Sequence, residues 1–253
     1  MVAVPRDSAT LILLRNASGP GSGLEVLMLR RHADSSFLPG AYVFPGGVVE
    51  AADYTRDVEA LCSGLTFEKA QKILDGASPP QKALGFFVAA IRETFEESGM
   101  LLAYRPLTNL VTNNGENQTW FAQLRSRIQE DPLLFAEMLR EEELKLATDR
   151  LFYFSHWITP EMAPIRFDTR FFVAAAPQDQ EASHDALETT DSRWISPKEV
   201  LEKRKTGELT VAYPTYRNIK ALAEFPSVDE VIASTWHKEV PAIQPLINML
   251  KFG

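Results

Sequence analysis

The amino-acid sequence predicts a fold in which β-strands and α-helices are mixed. Two apolar runs rich in branched residues, Ser8–Leu14 and Leu24–Arg30, flank a segment of Gly, Ser and Pro. This pattern predicts a β-hairpin. A helical pattern runs from about Gln81 to Ser98, after a proline suited to a first helical turn. Gly99 then stands where a left-handed residue commonly ends a helix.

The other elements are predicted in chain order from periodicity and capping residues. Further strands are predicted at Tyr42–Phe44, Leu101–Tyr104, Leu151–Ile158, Arg166–Ala174 and Ser192–Ile195. Further helices are predicted at Asp57–Leu61, Phe67–Leu74, Trp120–Gln129, Pro132–Ala147, after Ser196, and at Tyr216–Phe225 and Val228–Thr235. Pro45-Gly46-Gly47 is predicted to turn sharply; two glycines allow the backbone to approach a ligand, although such a segment taken alone is usually just a turn.

Composition limits the classes of function. The 253 residues suit one large domain or a domain with an appendage, and 45% apolar with 24% charged residues is ordinary for a soluble globular protein. The net charge of −8 argues against a broad surface for nucleic acid or anionic membrane. Cys62 is the only cysteine, which excludes an intrachain disulfide. With no signal-peptide pattern and no membrane-length apolar run, the cytoplasm is the expected compartment.

The predicted long helix carries three carboxylates on one side. Glu93, Glu96 and Glu97 fall at i, i+3 and i+4, where like charges repel unless a cation lies among them. Mg²⁺ is commonly held by a few carboxylates together with substrate phosphates. The opposite side is mostly apolar and suits a core: Phe87, Ala90, Ile91, Thr94 and Phe95. Taken alone, such a glutamate cluster is more often a solvated face than a metal site.

Together with the glycine segment, this helix resembles the Nudix box, G-x5-E-x7-R-E-U-x-E-E-x-G-U, where U is apolar. The matching residues are Gly47, Asp53, Arg92, Glu93, Glu96, Glu97 and Gly99, with Asp53 in place of glutamate and Thr94 at the first apolar position. Arg92 follows Gly47 by 45 positions (92 − 47), about 31 more than in the usual box. This split box resembles the Nudix branch that includes peroxisomal coenzyme A diphosphatases.

The resemblance implies a fold and a metal site. The expected fold is α/β, a Nudix-type α/β/α sandwich around a mixed sheet, formed by residues 1–253 as one domain. Insertions are expected at about 54–80, which splits the box, and at about 117–147. The implied ligands of Mg²⁺ or Mn²⁺ are Glu93, Glu96, Glu97 and the Gly46 carbonyl. Arg92 is implied to hold nearby carboxylates in place, with Asp53 as its partner.

The resemblance also implies a catalytic set of Glu96, Glu93, Arg92 and Glu188. Many family members use a distant glutamate, six positions before a tryptophan, as general base or extra ligand. Glu188 stands six positions before Trp194, and Asp191 is the alternative.

The substrate is expected to be a small nucleoside diphosphate derivative. Coenzyme A carries an additional 3′-phosphate, so its site should contain more than one basic group. The candidates are Arg30, Arg31, Arg166 and Arg170. The segment from Gly40 to Gly47 matches G-x3-F-P-G-G, the end of a signature in coenzyme A-hydrolysing Nudix proteins, although Ser36 replaces the arginine expected before it.

These features favour a coenzyme A or acyl-coenzyme A diphosphatase. A pyrophosphatase acting on ADP-ribose or NADH remains open, as does a Nudix-fold module that binds a nucleotide without cleaving it. The insertions leave a homodimer open as well.

Overall fold

The computed structural model describes residues 2–19, 23–35, 38–74, 79–105, 110–113, 117–184 and 189–246. Across these ranges, a mixed sheet and a small two-stranded sheet contain the following strands: β1 (Arg6–Asn16), β2 (Leu24–Arg31), β3 (Tyr42–Val43), β4 (Gly46–Val48), β5 (Ala103–Tyr104), β6 (Lys145–Leu146), β7 (Phe152–Ile158), β8 (Phe167–Ala175), β9 (Thr189–Ile195) and β10 (Ala242–Ile243). The main sheet has the order β10-β7-β8-β1-β2-β3, with β4 paired to β1 and β9 paired to β2.

Helices cover both faces of this sheet. Their bounds are α1 (Phe67–Ile73), α2 (Pro80–Ser98), α3 (Asn117–Glu130), α4 (Phe135–Glu141), α5 (Pro197–Lys205), α6 (Tyr213–Leu222) and α7 (Val228–Thr235). One hydrophobic cluster joins α1–α4 to one face, and a second joins α5–α7 to the other. The predicted α/β/α sandwich is therefore confirmed.

Strand β1 shows why this region of the sequence is continuously apolar. Leu11 and Leu13 belong to the cluster with α2, whereas Ile12 and Leu14 belong to the cluster with α5–α7. A strand covered on both faces needs apolar residues at successive positions rather than alternate ones. The strand pairs antiparallel with β2, which confirms the predicted hairpin, and parallel with β8, which makes the sheet mixed.

Helix α2 is the buried centre of one face. It begins at Pro80 and ends at Gly99, whose φ of 71° and N–H bond to the Phe95 carbonyl form the predicted left-handed cap. The predicted apolar stripe is fully buried, and the Phe87 ring lies 4.5 Å from that of Phe172 in β8. No helix of the described chain is long and apolar enough to cross a membrane.

Two helix predictions were wrong in extent. The segment predicted as one helix from Pro132 to Ala147 contains a 3₁₀ turn, then α4, and then β6, which pairs with β5. The helix ends because Glu143 takes a φ of 52°, and the buried side chains of Leu144 and Leu146 enter the core. The predicted helix at Asp57–Leu61 is a 3₁₀ turn, Val58–Leu61.

Candidate active site

The glycine segment lies directly beside the carboxylate helix. The chain bends at Pro45, as predicted, but Gly46–Val48 forms β4, antiparallel to β1, so the two glycines are a strand and not part of the turn. A Cβ on Gly46 would lie 2.5 Å from the Ala9 carbonyl oxygen, and its φ is 156°, so only glycine fits there. The Gly46 N–H donates to the Glu97 carboxylate at 3.0 Å. The structure therefore brings the two halves of the box together, as the sequence predicted.

Gly47 allows a second close approach. A Cβ on this residue would lie 2.4 Å from both the Cδ and the Oε1 of Glu93. Any side chain at position 47 would therefore have to displace that carboxylate.

The insertion between the half-boxes leaves the predicted pair of Arg92 and Asp53 intact. Their side chains are each 2% exposed, with Nε–Oδ1 and Nη2–Oδ2 distances of 2.8 and 3.0 Å. A 3₁₀ turn, Ala51–Tyr54, positions Asp53, which also accepts the Glu50 N–H at 2.8 Å. Arg92 further donates to the Val48 carbonyl at 3.0 Å, linking α2 to β4. The chain departs after Asp53 and returns in α2 before Arg92, so the pair closes the loop.

Arg92 also holds two of the three glutamates. Its Nη1 lies 2.9 Å from Glu96 Oε1 and 3.0 Å from Glu93 Oε1. Burial acts to lower the pKa of Arg92, but the hydrogen bonds that it donates to Asp53 and the surrounding carboxylates raise it above its ordinary value. Burial raises the pKa of Glu93 to about 7; Arg92 opposes the rise and Glu96 adds to it. The single guanidinium does not compensate all the negative charge around it.

Helix α3 supports the same helix turn. Arg125 Nε and Gln129 Nε2, both on α3, donate to the Glu96 carbonyl oxygen at 2.9 Å each. Helix α3 therefore fixes the backbone that carries Glu96 and Glu97.

These residues fit a hard divalent cation. Carboxylate and carbonyl oxygens are its preferred donors. Burial, with a smaller contribution from Glu96, raises the pKa of Glu93, and a bound cation would stabilise the ionised carboxylate that burial disfavours. In the structure, Glu93 and Glu96 turn towards Arg92, and the described residues contain no group of three His, Cys, Asp or Glu gathered around one ion position. A carboxylate has about four lone-pair positions, so a cation and the guanidinium can share these side chains.

The three glutamates and both glycines line a cleft of about 890 Å³. The floor includes Ser8 and Thr10 of β1 and Thr169 of β8, and Tyr213–Thr215 of α6 form part of a wall. Ser8 and Thr169 are partners in the parallel pairing of these strands, so their side chains lie on one face of the sheet.

Of the four arginines predicted to bind substrate, only Arg31 lies in the lining of the cleft. Arg31 lines the cleft, whereas Arg30 is exposed and outside its lining. Arg6 also lines the cleft and was not predicted. Its alternation with Ser8 and Thr10 on β1 was the signal that could have identified it.

Arg166 and Arg170 require a correction, because neither belongs to the cleft lining. Arg166 is buried and donates to the Thr159 and Ala3 carbonyls at 3.0 and 2.7 Å. Arg170 is 9% exposed, donates to Asp168 at 2.9 Å and lies 4.1 Å from the ring centre of Phe86 in α2. Both occupy structural positions away from the cleft, and we withdraw them as substrate contacts.

The two candidates for the general base differ in their surroundings. Glu188 lies outside the described residues, but Thr189, which follows it, pairs with Arg31 at the cleft. Asp191 accepts the Tyr42 hydroxyl at 2.7 Å and Arg193 Nε at 3.0 Å. Partial burial acts to raise the pKa of Asp191, but these two hydrogen bonds hold it below its ordinary value. Asp191 lies outside the cleft lining and is already committed to these partners.

The layered fold and the glycine strand beside a carboxylate helix define this chain as a Nudix protein. The structure superimposes on that of a NUDIX hydrolase from Alicyclobacillus acidocaldarius with a TM-score of 0.76, 24% identity, and coverage of 91% of this chain and 96% of the other. Within that class, the chain belongs to the NUDT19 Nudix domain family, whose model matches residues 5–222.

Several relatives carry an activity in their names. The acyl-coenzyme A diphosphatase NUDT19 of Xenopus laevis is 30% identical over 246 residues, covering 85% of this chain and 64% of the relative. The human protein of the same name is 28% identical over 240 residues, covering 84% and 64% respectively. The match thus spans 64% of the length of each of these relatives.

Proposed function

We propose that this protein is a divalent-metal-dependent hydrolase that cleaves the diphosphate of coenzyme A or acyl-coenzyme A, using Mg²⁺ or Mn²⁺. The observation that carries the proposal is the reassembly of the split box at the cleft, where Gly46 contacts Glu97 and Asp53 holds Arg92. Relatives named acyl-coenzyme A diphosphatase support the choice of substrate.

The roles of the side chains follow from their positions. Glu93, Glu96, Glu97 and the Gly46 carbonyl would hold the cation, which would neutralise phosphate charge and activate water. Arg92 orients Glu93 and Glu96 because it bonds to both from a site fixed by Asp53. Glu188 is our candidate for general base because it immediately precedes Thr189 in the sequence, and Thr189 pairs with the cleft residue Arg31.

Substrate binding is proposed to use the two arginines of the cleft. Arg6 and Arg31 offer charge-assisted hydrogen bonds to phosphate oxygens, and Ser8, Thr10 and Thr169 offer hydroxyl groups between them. Two basic groups match a ligand that carries a diphosphate and a separate ribose phosphate.

We further propose that the chain forms one domain with two insertions. Ala70 of the first insertion and Phe121 of the second share the core cluster of α2, which supports this organisation. The cytoplasm remains the proposed compartment, and the lone cysteine, Cys62, suits a reducing environment.

The test is hydrolysis of coenzyme A, ADP-ribose and NADH with Mg²⁺, Mn²⁺ or EDTA, followed by chromatography of the products. We expect metal-dependent cleavage of coenzyme A into a nucleotide and phosphopantetheine. Glu96→Gln should lower kcat by about 100-fold or more, whereas Glu137→Gln, an exposed glutamate of α4, should retain activity. Absence of metal-dependent cleavage of all three compounds would refute a hydrolase, and faster cleavage of ADP-ribose would refute the proposed substrate.

A further inference from the structure

A second cavity, of about 340 Å³, lies where the end of α2 meets α3 and the chain between β8 and β9. Its lining includes Gly99, Asn113, Gln118, Phe121, Arg125 and Ser183. No described residue lines both this cavity and the larger cleft, so the two are separate. Its volume falls at the lower end of the range for small-molecule sites, about 300–1,000 Å³.

Hydrogen bonds hold the walls of this cavity in place. Asn113 Nδ2 donates to the Glu181 carbonyl at 3.1 Å, and Asn113 Oδ1 accepts the Glu181 N–H at 2.9 Å. The Ser183 N–H donates to the Ser98 carbonyl at 2.9 Å, which joins the same segment to the end of α2. A cavity that is ordered before binding loses little conformational entropy when a ligand enters it.

Arg125 brings a cation to this cavity. Its Nη1 donates to Ser183 Oγ at 2.9 Å. A Cβ on Gly99 would lie 3.2 Å from Arg125 Nη1 and 3.3 Å from Ser183 Oγ, so both polar groups lie beside Gly99 in the wall. Gln118, in the first turn of α3, adds a side-chain amide to the lining. Guanidinium, hydroxyl and amide groups together are donors suited to the oxygens of an anion.

The rest of the lining favours an anion with a single charge and an apolar body. Among the described lining residues, Arg125 is the only base and Glu181 the only acid, so their formal charges cancel. A ligand with several negative charges would be repelled by Glu181 without a second cation to compensate. Phe121, Ala122 and Ala182 form the apolar part of the lining, which gains free energy when a hydrocarbon group covers it. These features fit a small apolar monocarboxylate.

The same arginine reaches the carboxylate helix. Arg125 Nε and Gln129 Nε2 donate to the Glu96 carbonyl oxygen at 2.9 Å each. Carbonyls in the last turn of a helix lack partners within it, and positive charge is favourable there. The ring of Phe121 makes a second link to α2, since it lies 5.9 Å from the ring of Phe95. A ligand bound at Nη1 would leave the Nε bond intact and hold the side chain that makes it.

We propose that this cavity binds a small apolar monocarboxylate, and that the bound ligand strengthens metal binding at Glu96 by holding Arg125 against the Glu96 carbonyl. Ligand binding here goes beyond the proposed function, whereas its effect on the metal rests on the metal site of that function. Coupling between two sites is reciprocal, so the metal and the ligand should each tighten the other by the same factor. A factor of about fivefold lies at the lower end of typical couplings.

The first experiment measures phenylacetate binding by calorimetry with EDTA present, and compares it with phenylacetamide, which has the same shape and no charge. The wild type should bind one phenylacetate, and phenylacetamide at least about tenfold more weakly, because a hydrogen bond to a charged group is lost. Arg125→Gln should weaken phenylacetate binding by a similar factor. Ala122→Leu keeps Arg125 and fills the cavity, so it should abolish phenylacetate binding.

Two further variants are matched controls. Arg127 lies on the same helix as Arg125, but it pairs with Glu141 at the surface and lies outside the lining. Ala221 is an exposed alanine on α6, also outside the lining. Arg127→Gln and Ala221→Leu should therefore bind phenylacetate as tightly as the wild type. Absence of phenylacetate binding, or binding that Arg125→Gln and Ala122→Leu both retain, overturns the site.

The second experiment measures Mn²⁺ affinity from the electron paramagnetic resonance signal of free Mn²⁺, with and without saturating phenylacetate. The dissociation constant should fall about fivefold in the wild type and stay unchanged in Ala122→Leu. An unchanged constant in the wild type overturns the coupling. If Mn²⁺ does not bind at all, the metal site of the proposed function fails, but phenylacetate binding that Ala122→Leu abolishes still supports the cavity as a ligand site.

Discussion

Asp53→Asn tests whether the buried pair with Arg92 holds the split box together. Both side chains are 2% exposed and joined at 2.8 and 3.0 Å, so the substitution removes the charge that compensates a guanidinium in the core. Removing one partner of such a pair typically costs about 3–5 kcal/mol. In this variant Arg92 retains its contacts with Glu93, Glu96 and the Val48 carbonyl. The expected loss in the free energy of unfolding is therefore near the lower value, about 3 kcal/mol.

The assay is thermal unfolding followed by circular dichroism, with EDTA present. A loss of about 3 kcal/mol should lower the Tm by at least about 6 °C in a chain of this size. Asp57→Asn is the matched control, because Asp57 lies four positions after Asp53 but pairs with Arg140 at the surface. Its removal should leave the Tm nearly unchanged. Equal Tm values for the two variants would show that the buried pair does not stabilise this junction.

Two further changes test the packing and the charge of the carboxylate cluster. Gly47→Ala should lower kcat by about 100-fold, because a Cβ would lie 2.4 Å from the Glu93 carboxylate; Gly23→Ala, whose Cβ would meet nothing within 4 Å, should retain wild-type kcat. For pH, the pKa of Glu93 is raised from 4.5 to about 7 in the folded state, so ionisation opposes folding. The free energy of unfolding in EDTA should therefore fall between about pH 4.5 and 7, by roughly 3 kcal/mol, and a titration of Glu93→Gln with urea should lack that decrease. The same decrease in both proteins would exclude Glu93 as its source.

Most helices and strands could be predicted from local sequence patterns, because periodicity and capping depend on residues that are close together in the chain. The buried stripe around Phe87 follows from helical periodicity, and the cap at Gly99 follows from the tolerance of glycine for a positive φ; both are confirmed. The contact of Gly46 with Glu97 was predicted by resemblance to a known motif, since residues 51 positions apart (97 − 46) share no local signal.

The failures arose where long-range pairing decides the structure. Two adjacent glycines are typical of a turn, and only pairing with Ala9 and Thr10 makes Gly46 and Gly47 a strand. Alternation along β8 placed Arg166 and Arg170 together, but it could not show which face of the sheet they occupy. That face is set by the packing of α2, where Phe86 lies against Arg170.

The most direct test of the reassembled site is a crystal structure with Mn²⁺, using the anomalous signal to locate the ion. We expect a peak about 2.0–2.3 Å from carboxylate oxygens of Glu93, Glu96 or Glu97 and from the Gly46 carbonyl. The Asp53–Arg92 pair should remain in place behind those ligands. A peak elsewhere in the cleft, or none at saturating Mn²⁺, would show that these residues do not form the metal site.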